Sequence, residues 1–183
     1  DIEFHNECAA VVLDHNDMQE KSAARLKCPE LENKYFNSGV LFVNLKAWLE
    51  NKSTDRLLNI LRGGEEHGYL KYPDQDGLNI IFGLNNIYIS NDYNKIYTLK
   101  NELKDSLHQK YKNIIDEHTI LIHYTGITKP WHVWGQYPAS KYFDVAKNNS
   151  PWCKAPLKKA RSLSEMQKMY KHYFAQKKYL VDR

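Results

Sequence analysis

Ile-Leu-Ile-His-Tyr-Thr-Gly-Ile-Thr-Lys-Pro-Trp-His, residues 120 to 132, is the stretch around which the rest of the chain can be ordered. Thr119–Tyr124 reads as a buried strand, with His123 at the end of its apolar run. A glycine turn at Gly126 follows, then a lone cation, Lys129, then Pro130-Trp131. A strand-end histidine beside a glycine turn and a lysine suits a metal-bound diphosphate. Neutral imidazole can ligate a divalent cation, glycine lets the backbone approach phosphate oxygens, and the ammonium neutralises their charge. The alternative is a core histidine followed by an ordinary turn.

Working outward, Ala9–Leu13 is a short apolar strand and Met18–Leu26 a helix that must end before Cys28-Pro29. Gly39–Asn44 is a continuous apolar run, the pattern of a strand buried on both faces. Asn44 can cap a short helix through Trp48. Ser53 can cap another over Thr54–Arg62, which Gly63-Gly64 would stop. Asp74 can start a helix over Gln75–Phe82 ending at Gly83, and Ile87–Ser90 is a further strand. Short strands alternating with helices give an α/β core. The best boundary lies near Gly126–Pro130, dividing 1–126 from 127–183. In the second part, Ser162 and Glu165 form a capping-box pattern before a basic helix. Leu163, Met166, Tyr170, Tyr173 and Phe174 share one helical face. Lys168, Lys171, His172 and Lys178 share the other, with Lys177 intruding on the apolar side. Such a helix can dock on a core or lie on an anionic membrane.

At 183 residues and 42% hydrophobic composition the chain can bury one good core. Its 13 Tyr and 4 Trp suit carbohydrate handling and a large core equally. Three widely spaced cysteines follow no metal-ligand pattern and fit a reducing compartment. No apolar run approaches the roughly 18 residues that suggest a membrane span. Residues 154–183 hold nine Lys+Arg and two Asp+Glu, a balance of +7. The other 153 residues hold 17 and 20, a balance of −3, and together these give the net +4. The basic tail points to an anionic partner, whereas the acidic body and lack of any recognition motif exclude nucleic acid.

Two further segments accompany the first: Tyr-Phe-Asn-Ser-Gly-Val-Leu-Phe-Val-Asn-Leu at 35–45 and Tyr-Pro-Asp-Gln-Asp at 72–76. In this order with His-Tyr-Thr-Gly-x-x-Lys-Pro-Trp, they resemble glycosyltransferase family 8, retaining metal-dependent enzymes that use uridine-diphosphate sugars. Tyr-Asn-x-Ile-Tyr-Thr at 93–98, Glu-Leu-Lys-Asp at 102–105 and Asn-Ser-Pro-Trp at 149–152 resemble the bacterial lipopolysaccharide-core hexosyltransferases of that family. The resemblance runs from about Ala9 to the C-terminus.

It implies the C-terminal half of a GT-A nucleotide-diphospho-sugar transferase fold, with a basic helical extension. By the same resemblance, His123 is a ligand of Mn2+ or Mg2+, completing a site with two aspartates of an Asp-x-Asp motif. Gly126 and Lys129 contact the diphosphate. Asn37, Asp74 and Asp76 bind the donor sugar, and Gln75 lies near the reacting carbon as a catalytic residue with Asp74. A neutral amide is a poor nucleophile, so front-side transfer, with a diphosphate oxygen helping to deprotonate the acceptor, fits better than a two-carboxylate scheme. The alternatives are N-capping for Asp74 and a turn role for Asn37. Trp131, His132 and Trp134 read either as an acceptor-sugar wall or as packing.

The family's Asp-x-Asp has no counterpart here. Asp14-His15-Asn16-Asp17 follows the wrong strand with the wrong spacing. Asp1 is therefore expected to lie inside a longer protein, with the remaining metal ligands upstream, and this chain alone to be weakly active or inactive. The expected reaction is transfer of glucose or galactose to a hexose of the lipopolysaccharide outer core, leaning to α-1,3. It would take place at the cytoplasmic face of the inner membrane, with residues 154–183 touching anionic lipid. The rival expectations are another acceptor, such as a protein or teichoic-type polymer, and a non-catalytic carbohydrate- or membrane-binding module.

Overall fold

The computed structural model describes residues 2–63, 68–97, 114–126, 128–135 and 137–180, with only the backbone of 172 and 175–180. The Glu-Leu-Lys-Asp stretch at 102–105, Thr98, Gly64 and Ile127 lie outside the described residues, as do the side chains of His172, Lys177 and Lys178. Two compact units divide the chain, Asp1–Asn94 and Lys95–Arg183.

In the first unit, strand β1 (Ala9–Leu13) is central in a three-stranded sheet. It pairs antiparallel with β2 (Phe36–Val43) and parallel with β3 (Asn86–Tyr88). Ala9, Ala10 and Val11 are fully buried in β1, as a central strand requires. β2 departs from the sequence expectation in two respects. It begins at Phe36, before the apolar run, and its outer half is exposed at Phe42 and Val43 because it is an edge strand, not one covered on both faces. Its register also breaks: Ala10 pairs with Phe42 but Val12 with Asn37, so the Ser38–Leu41 segment bulges opposite Val11. A bulge re-aims the residues it contains.

Helix α1 (Asn16–Leu26) buries Gln19, Ser22, Ala23 and Leu26, one face at helical spacing, and stops at Lys27 in the left-handed region. α2 (Leu45–Glu50) is capped by Asn44, whose side chain accepts from Ala47 N–H at 3.3 Å. α3 (Ser53–Leu61) places Ser53 inside the helix rather than at its cap, where its buried hydroxyl has no hydrogen-bond partner. α4 (Pro73–Phe82) begins with proline in its first turn and ends at Gly83, whose φ of +53° suits glycine. Leu78, Ile81 and Phe82 of α4 pack on Cys8, Ala9, Val11, Phe36 and Ile60. Each large apolar side chain so buried contributes about 1.5–3 kcal/mol.

In the second unit, β4 (Lys95–Tyr97) pairs parallel with β5 (Ile122–Tyr124), Ile96 opposite His123. Tyr97 stacks on Tyr137 at 5.3 Å and packs edge-on to Tyr124 at 5.7 Å. With Ile115 and Ala139 these rings form one small core. This core joins the His123 strand to residues beyond 130, and the compact-unit boundary falls at 94/95. Helix α5 (Ser140–Asn148) and helix α6 (Leu163–Leu180) follow. Ser162 Oγ accepts the Glu165 N–H at 3.1 Å, while the Glu165 carboxylate takes the Arg161 N–H. The apolar α6 face, from Leu163 to Phe174, is exposed.

Candidate active site

In the first unit, polar side chains collect at one end of the sheet: the C-terminal end of β1, the start of antiparallel β2 and the turn after β3. This is where open α/β sheets place ligands. Asp14 follows β1 directly and is 8% exposed. Its Oδ2 accepts from Asn37 Nδ2 at 3.1 Å and Gln75 Nε2 at 2.9 Å. Its Oδ1 accepts the His15 N–H at 2.7 Å. The amide orientations are fixed from their other ends. Asn37 Oδ1 accepts from Asn94 Nδ2 and the Gly39 N–H, both at 3.0 Å. Gln75 Oε1 accepts the Ser38 N–H at 3.1 Å, which the β2 bulge presents. The buried Asn79 bonds the Phe36 N–H, the Phe36 carbonyl and the Gln75 carbonyl, each at 2.9 Å, clamping α4 to β2 beside Asn37.

Asp74, Gln75 and Asp76 occupy the first turn of α4, where successive residues point about 100° apart. Asp74 is exposed, so N-capping does not occupy it; the cap position is Tyr72. Gln75 faces Asp14. Asp76, expected on the donor sugar, is fully buried and engaged by protein donors. The Arg25 guanidinium binds both its oxygens at 2.8 Å, the Tyr35 hydroxyl donates at 2.6 Å and the Tyr72 N–H at 2.8 Å. Burial pushes the Asp76 carboxyl up, but Arg25, Tyr35 and the Tyr72 N–H outweigh it and hold it below the usual carboxylate range. Burial, then the hydrogen bond to Asp76 and its charge, push the Tyr35 phenol well above its ordinary value. The structure thus brings Asn37 and Gln75 together around Asp14, leaves Asp74 open beside them, and turns Asp76 toward α1.

In the second unit, His123 is half-buried in β5 and Gly126 has a φ of +79°. The Lys129 ammonium donates to the Tyr124 carbonyl and lies 5.7 Å from the Trp131 ring centre. Burial lowers its pKa. The three residues expected as an acceptor wall separate. Trp131 is exposed, whereas His132 is buried and stacks on Trp134 at 4.3 Å. His132 Nδ1 accepts the Lys129 N–H at 3.2 Å, so that pair supports the loop. Among the described residues no group of three or more His, Cys, Asp and Glu side chains is placed to hold a cation, so they do not fit a complete metal site.

Asp14 is the site residue that sequence reasoning passed over. Its signal was position: a carboxylate directly after a buried strand.

The sheet, its polar end and the following helices define a GT-A glycosyltransferase fold. The galactosyltransferase LgtC, solved with donor and acceptor sugar analogues, has a TM-score of 0.54 at 22% identity, covering 82% of this chain and 55% of that one. An active-site mutant of LgtC, Q189E, gives 0.55 at 21% identity over 78% and 52%. Residues 1–135 match Glycosyl transferase family 8 and residues 137–181 match Glycosyl transferase family 8 C-terminal. The chain belongs to glycosyl transferase family 8. It is 48% identical to a lipopolysaccharide 1,2-glucosyltransferase of Escherichia coli K12, covering 94% of this chain and 50% of that protein. To a lipopolysaccharide 1,3-galactosyltransferase of Salmonella typhimurium it is 35% identical, over 98% and 52%. The chain spans about half the length of these curated relatives.

Proposed function

We propose that this chain supplies the donor-sugar and diphosphate residues of a retaining hexosyltransferase that extends the lipopolysaccharide outer core from a uridine-diphosphate hexose. The observation that carries this is the carboxylate–amide cluster of Asp14, Asn37 and Gln75, with exposed Asp74 beside it. Sugar hydroxyls both donate and accept. Asp14 retains acceptor capacity and the Asn37 amide nitrogen a second N–H after the contacts above, while Gln75 also interacts with the Tyr35 hydroxyl. Asp14, Asn37, Asp74 and Gln75 then hold the hexose. Asp76 acts through Arg25 and Tyr35 to fix the turn that carries Asp74 and Gln75. Gly126 and Lys129 take the diphosphate.

The Gln75 oxygen already accepts from Ser38, which makes an uncharged amide a still weaker nucleophile. Front-side transfer follows. The anomeric carbon–phosphate oxygen bond breaks, the acceptor oxygen bonds to the same face, and its proton passes to the departing diphosphate. His123 supplies one candidate ligand for Mn2+ or Mg2+, and a full coordination shell needs others.

Glucose and a 1,2 linkage are the leading choice, supported by the 48% relative; the 35% relative supports the second, a 1,3 transfer of galactose. Among the described residues no helix is long and apolar enough to cross a membrane. Peripheral contact at the cytoplasmic face would use the exposed apolar face and lysines of α6. The test supplies the complete gene product with labelled uridine-diphosphate glucose or galactose and truncated core lipopolysaccharide, with linkage analysis of the product. Glucose incorporation at O2 is expected; no incorporation from either donor contradicts the reading.

A further inference from the structure

The Asn-Ser-Pro-Trp segment has no role in the reading so far. The structure gives it one. Residues 150–155 form a tightly braced turn. Ser150 Oγ donates to the Lys147 carbonyl at 2.8 Å and accepts the Trp152 N–H at 3.1 Å. The Cys153 N–H reaches the Ser150 carbonyl at 3.1 Å, the Ala155 N–H the Trp152 carbonyl at 2.9 Å, and Lys147 Nζ the Cys153 carbonyl at 2.7 Å. All this bracing holds an indole in water: Trp152 is 70% exposed.

Trp152 shares a groove of about 410 Å3 with Trp131, Phe143, Lys147, Ser150 and Leu157. That volume lies in the range of small-molecule clefts. Trp131 is 40% exposed and backed by Phe143 at 5.9 Å. Two backbone bonds fix its segment in an isolated bridge: the Lys158 N–H to the Trp131 carbonyl at 2.8 Å and the Val133 N–H to the Lys158 carbonyl at 3.0 Å. Lys129, 5.7 Å from the Trp131 ring, connects this wall to the glycine–lysine loop.

Charge selects the occupant. Residues 129–161 carry seven Lys+Arg and one acidic residue, Asp144; Glu165 beyond them pairs with Lys158 at 3.2 Å, which leaves the balance strongly positive. A second copy of so basic a surface is repelled, whereas an anionic ligand is drawn in. Indole faces bind apolar bodies that carry polar edges, which is the character of a sugar ring. We propose that the Trp131–Trp152 groove is an oligosaccharide subsite. It seats a sugar residue of the acceptor other than the one that reacts, with the acceptor's anionic substituents toward Lys147. This rests on the lipopolysaccharide-core reading of the acceptor.

The test measures binding to the purified chain by calorimetry. The probes are delipidated core oligosaccharide carrying its phosphates, the same oligosaccharide after phosphatase treatment, and phosphatidylglycerol-containing vesicles. The phosphorylated probe binds most tightly; Trp152→Ala weakens it about tenfold, and Trp152→Phe keeps it within about threefold. Lys147→Gln erases the preference for the phosphorylated probe. Equal affinity in Trp152→Ala overturns the subsite, as does vesicle binding that Trp152→Ala abolishes while oligosaccharide binding survives. Equal binding of both oligosaccharides by the wild-type chain overturns the anionic preference. If neither oligosaccharide binds while the complete gene product still transfers hexose to core lipopolysaccharide, the groove fails and the acceptor reading stands. If transfer fails too, both fall.

Discussion

Replacing Arg25 with alanine tests the node behind the Asp74–Gln75 turn, and it also removes the Arg25 bonds to the Tyr69 carbonyl and to Ser22 Oγ. Arg25 supplies two of the four hydrogen bonds on the Asp76 carboxylate and its only ion-pair partner among the described residues. The Asp76 side chain is fully buried and that of Arg25 is 18% exposed, so water cannot replace the guanidinium fully. Breaking a buried pair from one side costs about 3–5 kcal/mol. The Tyr35 hydroxyl and Tyr72 N–H remain, which puts the expectation at the lower end, about 3 kcal/mol. The pH dependence carries the mechanism. In the wild-type protein the Asp76 pKa is depressed, so its contribution is complete above the ordinary aspartate value of about 3.9 and is lost as pH falls through the folded value. Without Arg25, burial goes less opposed and the carboxyl moves up; the variant is then most destabilised at neutral pH. Urea unfolding of both proteins from pH 7 to pH 4 should show a gap of about 3 kcal/mol that narrows with acid. A gap below about 1 kcal/mol, the same at every pH, would refute the reasoning.

Asn94→Ala removes the donor that orients Asn37 and should raise the donor KM several-fold in steady-state kinetics of the complete gene product, with the fold retained by circular dichroism. His132 is held below its ordinary pKa by burial and then by Lys158, with Lys129 adding to this and Glu165 opposing. Its folded state therefore binds fewer protons, and stability is lost as pH falls below about 6.5. Thermal melting between pH 5 and 7 should show that slope in the wild-type chain and less of it in His132→Gln. Gly135→Ala places a Cβ 1.9 Å from the Lys129 carbonyl oxygen and should cost about 2–3 kcal/mol, read by denaturant unfolding.

What was legible in the sequence was local. The β1 run, the Asn44 cap and the Gly83 stop each depend on a few adjacent residues, and the structure contains all three. β2 was harder because its first residues answer to the polar cluster rather than to a core. Asn37 and Ser38 broke the apolar pattern while still pairing or bulging beside β1. Asp14 acquires its place through partners 23 and 61 residues away, which no short motif encodes. Asp74-Gln75-Asp76 read as one functional unit, yet helical geometry sends the three side chains in different directions. Arg25, the partner that decides Asp76, sits on a helix whose other visible signals are packing signals. The segment Trp131-His132-Val133-Trp134 could not be divided by sequence, since stacking against protein and stacking against sugar use the same rings.

The central claim is that Asp14, Asn37 and Gln75 hold the transferred hexose. Its most direct measurement is single-turnover transfer of labelled glucose to truncated core lipopolysaccharide by the complete gene product, wild type against Asp14→Asn and Asn37→Ala. Amide-exchange protection around β1 and β2 would be monitored in parallel. The account predicts transfer reduced by about two orders of magnitude or more in both variants, equivalent to roughly 2.7 kcal/mol of lost stabilisation, with protection unchanged. Wild-type transfer in either variant would contradict it.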